Sequence, residues 1–216
     1  MVVARSSPAS ERAPLIVLRL EETYPGARMS LEASFPLETL VATILSAQCT
    51  DERVNQVTGS LFRKYRTLED YLRVPERELA ADIRPTGFFN QKARAIRGSC
   101  RRILEVYGGK VPGTMDELLS LPGVARKTAN VVLGNAFGRV EGIAVDTHVK
   151  RLSNRLGFSR WKEPEKIERD LMALLPKDEW FPFTYLLIEH GRAVCKAPAP
   201  RCGECVIETL CPSSRA

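Results

Sequence analysis

Four of the six cysteines in this 216-residue chain are gathered near its C-terminus, within 17 residues. They follow the pattern Cys195-X6-Cys202-X2-Cys205-X5-Cys211. Thiolates so close in sequence can surround one compact centre, and disulfides are not expected in a protein that we predict to be cytoplasmic. The pattern therefore predicts a metal ion or a metal cluster held by these four side chains.

The spacing bears on which centre these thiolates hold. Structural zinc sites usually combine two separated Cys-X2-Cys pairs, whereas this chain has a single pair, Cys202 and Cys205. The last cysteine is followed directly by Pro212, as in the Cys-Pro ending of bacterial ferredoxins. Spacing alone thus favours an iron-sulfur cluster and leaves zinc as the alternative. Cys49 and Cys100 lie in apolar helical contexts and are predicted to be buried structural thiols.

The segment from Thr114 to Leu133 is typical of two helices joined by a tight turn. Pro122 and Gly123 form the predicted turn, because proline fixes its φ and glycine permits conformations closed to other residues. We expect the second helix to start near Val124. Backbone amides and the positive dipole end at that start can hold a phosphate, although such a hairpin is also a plain helical corner in many proteins.

Basic residues are concentrated just before this hairpin. The chain has 32 Lys and Arg against 26 Asp and Glu, a net charge of +6. Between residues 84 and 110 there are seven basic residues and one acidic residue, so this segment alone also carries +6. This concentration favours a polyanionic partner such as nucleic acid, while a solvated helix face is the alternative. The basic residues are Arg84, Lys92, Arg94, Arg97, Arg101, Arg102 and Lys110.

Helices must position these segments. Apolar residues recur at helical spacing along most of the chain, for example at Leu171, Leu174 and Leu175, and no sustained strand alternation occurs. Breakers such as Pro25-Gly26 and Gly108-Gly109 separate helices of about 8 to 16 residues. We therefore predict an all-α fold, with one domain or two small ones.

Composition excludes several classes of protein. The hydrophobic fraction of 44% is ordinary for a globular protein, and no apolar stretch approaches the roughly 20 residues of a membrane span. Residues 1–14 lack the about 7 to 15 apolar positions of a secretory signal. We predict that these residues form a flexible N-terminal tail and that the protein is cytoplasmic.

Two further segments, taken with the cysteines, resemble those of a known family. They are Leu121-Pro-Gly-Val-Ala-Arg-Lys-Thr-Ala129 and Ala144-Val-Asp-Thr-His-Val149. Together they resemble the helix-hairpin-helix DNA glycosylases, and most closely the endonuclease III family, over about residues 37–212. The family usually has a second glycine where this chain has Ala125, so the turn must accommodate a methyl group.

The resemblance implies a bifunctional DNA glycosylase and abasic-site lyase of base excision repair. Lys127 then attacks C1′ of the damaged nucleotide to form an imine, Asp146 assists, and β-elimination cleaves the strand 3′ to the abasic site. The attacking amine must be neutral, whereas free lysine is only about one part in a thousand neutral near pH 7.4. We therefore expect a site that favours the neutral amine. Asp146 would stabilise positive charge developing on the sugar and could relay the lysine proton.

Without the resemblance, these residues have ordinary interpretations. A helical lysine is usually solvated, and an aspartate just before Thr147 is usually an N-cap. A cap would fix the Asp146 carboxylate, so the capping role and the catalytic role are compatible. We interpret His148 as structural.

Attack at C1′ requires the nucleotide to rotate out of the duplex, and the enzyme must then fill the gap. The resemblance assigns this task to Gln48, within Leu45-Ser-Ala-Gln-Cys-Thr-Asp51, and to Phe88, within Gly87-Phe-Phe-Asn-Gln-Lys-Ala93. At position 49 a cysteine replaces the family's usual threonine. Without the resemblance, Phe88 would be interpreted as a core residue and Gln48 as a polar group at a helix end.

The resemblance also implies what the cysteines hold. Their spacing is identical to that of the family's 4Fe-4S loop, so a 4Fe-4S cluster is expected. Lys196 and Arg201 project from this loop, whose role is then to shape a phosphate-contacting surface. The predicted DNA-contacting residues are Gln48, Phe88, Leu121, Gly123, Ala125, Arg126, Lys196 and Arg201.

Two helical domains with a DNA cleft between them are implied in the same way. Residues 30–140 would form a six-helix domain with the hairpin. Residues 141–216 would form the helical cluster domain, against which an N-terminal helix of residues 15–29 packs. The expected partner is double-stranded DNA containing oxidised or ring-saturated pyrimidines or abasic sites, bound by a monomer.

Other functions fit parts of the sequence. A monofunctional glycosylase of the same superfamily, such as the adenine-excising branch, typically lacks the lysine and has a further C-terminal domain. A non-enzymatic iron-sulfur DNA-binding module would not need Lys127 and Asp146 at the matching positions. An electron carrier would need neither the hairpin nor the basic segment.

Overall fold

The computed structural model describes residues 3–215, and the regular structure in that range is helical, without a strand. The α-helices are α1 (Ala9–Thr23), α2 (Pro36–Leu45), α3 (Asp51–Lys64), α4 (Leu68–Arg73), α5 (Glu76–Asp82), α6 (Phe89–Val106), α7 (Met115–Leu119), α8 (Arg126–Phe137), α9 (Thr147–Arg155), α10 (Pro164–Leu174) and α11 (Trp180–Ala193). Short 3-10 turns lie at Arg84–Thr86, Lys177–Glu179, Cys202–Glu204 and Glu208–Leu210. The predicted all-α fold is confirmed. None of the helices in residues 3–215 has the length and apolar character needed to cross a membrane.

Local sequence signals explain where several helices begin and end. At the start of α4 the Thr67 hydroxyl accepts a hydrogen bond from the Asp70 amide, and the Asp70 carboxylate accepts one from the Thr67 amide. Pro36 and Pro164 open α2 and α10, because the fixed φ of proline suits the first helical turn. Gly138 ends α8 in the left-handed conformation, with φ of +62°.

The chain divides into two compact units. One runs from Met29 to Glu141 and contains α2 to α8. The other combines the segment up to Arg28 with the segment from Gly142 onward. The predicted domain limits, residues 30–140 and 141–216, lie close to these positions.

The unit from Met29 to Glu141 has α6 packed against α4 and α5, and α2 packed against α8. Its buried core includes Leu40, Leu45, Tyr71, Ile96, Leu118 and Leu133. Within residues 29–141 there are seven α-helices, not the six predicted. The additional boundary lies at Pro75, which has no amide donor and favours the extended backbone observed at Val74, so that α4 and α5 are separate short helices.

The other unit consists of α1, α9, α10, α11 and the C-terminal cysteine loop, around a core that includes Leu20, Leu152, Leu171 and Phe183. Its first helix begins at Ala9, so the prediction of a tail over residues 1–14 is wrong for residues 9–14. The reason is Arg12, whose buried guanidinium donates hydrogen bonds to the carbonyls of Leu156 at 2.8 Å and Leu210 at 3.0 Å. Residues 1, 2 and 216, which the tail and domain predictions also covered, lie outside the described residues.

Candidate functional site

The predicted hairpin turn lies between α7 and α8 and is seated on α6. Gly123 has φ of +77°, and a Cβ atom there would lie 2.5 Å from the Ala95 Cβ of α6. One turn further along α6, the Ser99 hydroxyl donates a hydrogen bond to the Pro122 carbonyl at 2.8 Å. Gly98 lies beneath the Pro122 ring, since a Cβ there would be 3.0 Å from the proline Cγ. Small residues on α6 thus allow the turn to pack closely against it.

Helix α8 begins at Arg126, two residues later than the predicted start at Val124. Val124 is buried, and its amide donates to the Leu121 carbonyl at 3.1 Å, which closes the turn before the helix begins. Ala125 is the N-cap, and its methyl side chain cannot accept hydrogen bonds from the amides of the first helical turn. A phosphate oxygen is a suitable acceptor at such a helix start.

The burial of Leu121 limits how this residue, predicted to contact DNA, could do so. Leu121 is only 2% exposed and belongs to the hydrophobic core of its unit. Its side chain therefore cannot contact DNA, and a contact at this position would have to use the backbone. Gly123 and Ala125 are exposed, Arg126 is partly exposed, and Lys127, the second residue of α8, is also partly exposed.

Asp146 is the N-cap of α9, which confirms the capping role. Its Oδ1 accepts a hydrogen bond from the Val149 amide at 2.7 Å, and its backbone is extended. The residues before it, Ile143 to Val145, are buried and fix the approach of the chain. Because the side chain is only partly buried, the capped carboxylate is held in one orientation and still reaches the surface.

The two residues predicted to enter the DNA share an unusual backbone conformation. Gln48 has φ of +52° and Phe88 has φ of +47°, and they are the non-glycine residues with positive φ in the described part of the chain. Such left-handed conformations are strained and are concentrated at functional sites. Phe88 is 57% exposed, so its interpretation as a core residue is wrong, and Gln48 is exposed as well.

The basic segment of residues 84–110 is only partly a surface feature. The Lys92 ammonium is buried and donates to the carbonyls of Leu45 and Thr86. Arg97 donates to the Tyr71 and Val74 carbonyls. These two cations therefore form hydrogen bonds with backbone carbonyls inside the unit and do not face a polyanion. The exposed members are Arg84, Arg94, Arg101, Arg102 and Lys110.

The four C-terminal cysteines all line one cavity and are free thiols. The cavity is also lined by apolar residues of α9 and the C-terminal loop, among them Leu152, Leu156 and Ile207. The pKa of the Cys205 thiol is raised to about 11, mainly by burial and in smaller part by the neighbouring Cys195 and Cys211. A cationic centre would oppose this effect, because metal coordination deprotonates thiols. No group of three or more His, Cys, Asp or Glu side chains within residues 3–215 is arranged around a single metal ion.

Polar side chains from α9 and α11 hold the cysteine loop, a role that sequence patterns do not predict. Arg155 donates to the Cys195 sulfur at 3.1 Å and to the carbonyls of Lys196 and Ala197 at 2.9 and 2.8 Å. Arg151, one turn earlier on α9, donates to the Cys195 carbonyl at 3.0 Å. The pair of arginines four residues apart on one helix face is visible in the sequence, but its target lies about 40 residues away.

His190 of α11 is a third polar side chain that contacts the cysteine loop. Its Nε2 lies 3.4 Å from the Cys205 sulfur, and its Nδ1 lies 3.0 Å from the Tyr24 hydroxyl. Burial lowers the pKa of His190 to about 4, so the imidazole is neutral and has a single N–H. When Cys205 is a thiolate, the tautomer that satisfies both ring nitrogens donates from Nε2–H to the sulfur and accepts at Nδ1 from the Tyr24 hydroxyl. Donors directed at sulfur are what metal-bound thiolates require.

The two basic residues predicted on this loop differ in their surroundings. Lys196 is exposed. Arg201 forms an ion pair with Glu204 at 2.8 Å and donates to the Ala193 carbonyl, which leaves its guanidinium partly engaged within the loop. Of the two remaining cysteines, Cys100 is 1% exposed as predicted, whereas Cys49 is only partly buried.

Sequence comparisons identify the family to which these features belong. The chain matches the HhH-GPD superfamily of base excision DNA repair proteins over residues 41–177. It is 54% identical to endonuclease III of Synechocystis sp. over 206 residues, which are 95% of this chain and 94% of that protein. The chain belongs to the endonuclease III family. Endonuclease III of Bacillus subtilis is 50% identical over 194 residues, 89% of this chain and 88% of its own length.

A solved structure of a trapped endonuclease III–DNA covalent intermediate has the same fold. Its TM-score is 0.91 at 45% identity, and the match covers 96% of this chain and 97% of that one. Members of the endonuclease III family are DNA glycosylases and abasic-site lyases, and the chain is therefore an enzyme of base excision repair that acts on DNA.

Within this endonuclease III fold, the predicted residues fall into groups. The hairpin residues lie together at the start of α8, and the four cysteines lie together around one cavity. Lys127 belongs to the unit of residues 29–141, and Asp146 belongs to the other unit. Sequence patterns do not predict Arg151 and Arg155 as parts of a site, and they place Lys92 among cations that face a polyanion. Charge patterns do not show whether a cation points outward or inward.

Proposed function

We propose that Lys127 is the nucleophile of a bifunctional glycosylase and lyase reaction. Its neutral amine attacks C1′ of the damaged nucleotide, the N-glycosidic bond breaks, and the base leaves with the bonding electrons and takes up a proton. Opening of the sugar ring then gives an imine between Lys127 and C1′. Loss of a C2′ proton expels the 3′ phosphate by β-elimination, which cleaves the strand 3′ to the abasic site.

The observation that carries this proposal is the partly exposed lysine at the second position of α8, in a chain that matches a covalently trapped protein–DNA complex over nearly its whole length. A covalent intermediate requires a nucleophilic side chain near the DNA backbone. The hairpin places Lys127 directly after amides that can bind a phosphate. Binding and chemistry would thus use adjacent residues.

Asp146 is proposed to stabilise the positive charge that develops on the sugar as the base departs. Its carboxylate is already fixed by the Val149 amide, so it needs little reorganisation when that charge appears. The same carboxylate can take up the proton that the attacking amine loses. A capping aspartate thus has a chemical role in addition to its structural one.

Gln48 and Phe88 are proposed to fill the space left by the rotated nucleotide. Both side chains are exposed, and both residues have left-handed backbone conformations. The Gln48 amide can form hydrogen bonds with the base on the opposite strand that has lost its pairing partner. The Phe88 ring can stack between neighbouring bases. Gly123, Ala125 and Arg126 would bind the phosphate backbone, together with Lys196 and Arg201 of the cysteine loop.

The residues Cys195, Cys202, Cys205 and Cys211 fit a 4Fe-4S cluster. The fit rests on four free thiols around one cavity, with Arg155 and His190 directed at two of the sulfurs. When bound, the cluster would crosslink the loop that carries Lys196 and Arg201. Iron and acid-labile sulfide analysis of purified protein tests this, with about four of each per chain expected and zinc as the contrary result.

The proposed substrates are oxidised or ring-saturated pyrimidines in double-stranded DNA, processed by a monomer. A chromosomal substrate in a protein with bacterial relatives implies action at the nucleoid, in the cytoplasm. Duplexes bearing thymine glycol or dihydrouracil should lose the base and be cleaved by the cluster-loaded enzyme. Survival of both duplexes would contradict this substrate class without affecting the lyase assignment.

The decisive experiment traps the imine. The protein is incubated with a duplex containing one abasic site and sodium borohydride, which reduces the imine to a stable amine, and a covalent band is sought on a denaturing gel. We expect a band from the natural protein and none from Lys127→Gln. No band from folded, cluster-loaded protein would contradict the lyase reaction and favour a monofunctional glycosylase.

A further inference from the structure

Lys92 is a buried cation whose contacts the proposed reaction does not use. It lies on the first turn of α6 and is 5% exposed, which is unusual for lysine. Its Nζ donates hydrogen bonds to the Leu45 carbonyl at 2.7 Å and to the Thr86 carbonyl at 2.8 Å. Burial lowers the pKa of this amine, so keeping the ammonium inside has a cost that its two hydrogen bonds must offset.

The two carbonyls stand at the beginnings of the two loops that carry Gln48 and Phe88. Leu45 is the last residue of α2, and the Gln48 loop (residues 46–50) follows it. Thr86 ends a 3-10 turn, and the Phe88 loop (residues 86–88) leads from it into α6. The Lys92 amide also donates to the Phe88 carbonyl at 3.0 Å. One residue therefore contacts both loops.

The bonds reach backbone groups that the loops themselves leave available. Leu45 is at the C-terminus of α2, where helix carbonyls lack intrahelical donors and the helix dipole favours a cation. In the turns and loops of residues 3–215, neither the Leu45 nor the Thr86 carbonyl accepts from a backbone amide. Since both oxygens lie within 2.8 Å of one nitrogen, the two loops start side by side.

Both loops also contain backbone strain that their surroundings must maintain. Gln48 and Phe88 have left-handed φ values, and strained residues keep such conformations only where neighbouring contacts determine them. Because Gln48 and Phe88 are exposed, packing of their own side chains contributes little to maintaining these conformations. A hydrogen bond that fixes the start of each loop can help to maintain the strained conformations of Gln48 and Phe88.

We propose that Lys92 is a positioning residue that fixes the Gln48 loop and the Phe88 loop relative to each other, so that both side chains enter the duplex together. The inference rests on the proposed function, because only rotation of a nucleotide out of a duplex needs both side chains at once. Lys92 does not touch the substrate and takes no part in imine formation.

This role differs from simple stabilisation of the fold in what it affects. General destabilisation lowers the concentration of active enzyme and reduces activity on every substrate equally. Loss of loop positioning reduces activity only where a nucleotide must leave a stacked helix. An abasic site in a single strand needs no such extrusion, so we expect it to react with Lys127 without help from the two loops.

The test compares borohydride trapping rates on one abasic oligonucleotide as a duplex and as a single strand. Lys92→Met removes both donors and keeps a side chain of similar volume. We expect the duplex rate to fall relative to the single-strand rate by about tenfold or more, which corresponds to about 1.4 kcal/mol in the barrier. The fluorescence of 2-aminopurine beside the site, which reports unstacking, should fall in parallel. An unchanged ratio, or equal losses on both substrates, would overturn the proposal.

Matched variants separate this result from other causes. Arg77→Met removes a positive charge from an exposed position on α5, in the same unit and outside the basic segment, and should leave the ratio unchanged. Lys92→Arg keeps the charge and several donors and should retain most of the duplex activity. If Lys92→Met does not fold, Lys92→Gln takes its place. A ratio of duplex rate to single-strand rate in Lys92→Gln equal to that in Lys92→Arg would then overturn the proposal. Failure of the natural protein to trap either substrate would instead contradict the proposed function.

Discussion

The backbone of the hairpin turn and the backbone of the cysteine loop are both fixed in position, but by different interactions. The turn at Gly123 is fixed by close packing on α6, with a glycine where no Cβ would fit and one hydrogen bond to Pro122. The cysteine loop is fixed by long-range hydrogen bonds from Arg151, Arg155 and His190 to loop carbonyls and sulfurs. Ile207 and Leu210 of the loop are buried in the core of its unit, and Cys195, Cys205 and Cys211 pack against that core.

The difference indicates how each region depends on the rest of the protein. Close packing within one unit requires no ligand or metal, so we expect the hairpin to be formed before DNA binds. A loop held by polar contacts to sulfur reaches its full stability only when the sulfurs hold their own ligand. We therefore expect the two regions to respond separately to the same perturbation.

The largest effect should come from removing one thiol. In Cys205→Ser we expect loss of the cluster, since structural metal centres can contribute on the order of 10 kcal/mol to the fold that holds them. Hydrogen exchange measured by mass spectrometry should then show residues 195–211 exchanging quickly while α7 and α8 keep their protection. Cys49→Ser, which changes a thiol outside the loop, is the control and should retain its iron. Loss of protection in the hairpin as well would contradict the independence of the two regions.

A smaller effect is expected when the packing of the hairpin is broken. Gly123→Ala combines a left-handed φ, costing about 1 to 2 kcal/mol, with a contact of 2.5 Å to Ala95, so we expect the free energy of unfolding to fall by about 3 kcal/mol in urea titrations. Gly138→Ala has a similar φ but no atom within 4 Å of the new Cβ, and should lose only about 1 kcal/mol. Equal losses would show that the backbone conformation, and not the packing on α6, determines the effect. Iron content should stay unchanged in both variants.

The hairpin also shows how far sequence patterns reach. Pro122 and Gly123 identify the turn because their backbone preferences are local, and the prediction of helix, turn and helix follows from them. The start of α8 was placed two residues early, since the burial of Val124 that closes the turn depends on a core assembled from distant helices. For the same reason the sequence does not show that the Leu121 side chain is buried, so that only its backbone remains for the predicted contact with DNA.

For the cysteine loop, sequence spacing predicts that four thiols converge, and they do line one cavity. It does not predict Arg151 and Arg155, because a hydrogen bond across about 40 residues leaves no local pattern. Lys92 shows the same limit in the other unit, where it was counted with cations facing a polyanion and instead points inward. Charge and periodicity identify residue types and faces, whereas the partners of a polar group depend on the assembled fold.

Helix α9 connects Asp146, which caps its start and for which we propose a catalytic role, with Arg155 at its end beside the cysteine loop. Asp146→Ser keeps a capping oxygen without the charge, so we expect unfolding free energy within about 0.5 kcal/mol of the natural protein. The rate of base removal should nevertheless fall about a hundredfold, as for other residues that stabilise developing charge. Single-turnover kinetics on a dihydrouracil duplex measure this rate.

Two further variants separate capping from chemistry in this region. Asp146→Ala should lose both the rate and about 1 kcal/mol of stability. Thr67→Ala removes the cap of α4 in the other unit and should lose similar stability with the rate unchanged. A rate of base removal in Asp146→Ser equal to that of the natural protein would mean that Asp146 acts only as a helix cap.

The smallest effect should come from weakening one polar anchor of the cysteine loop. Arg155→Met removes the donor to the Cys195 sulfur and the donors to the Lys196 and Ala197 carbonyls, while the four thiols remain. Because partners that orient metal ligands typically change metal affinity by about 10- to 100-fold, we expect iron release to a chelator to be about tenfold faster. Arg169→Met, an exposed charge on α10, is the control and should release iron at the natural rate. If Arg155→Met also released iron at the natural rate, the cluster alone would hold the loop, and the polar anchors would serve only the cluster-free chain before iron is inserted.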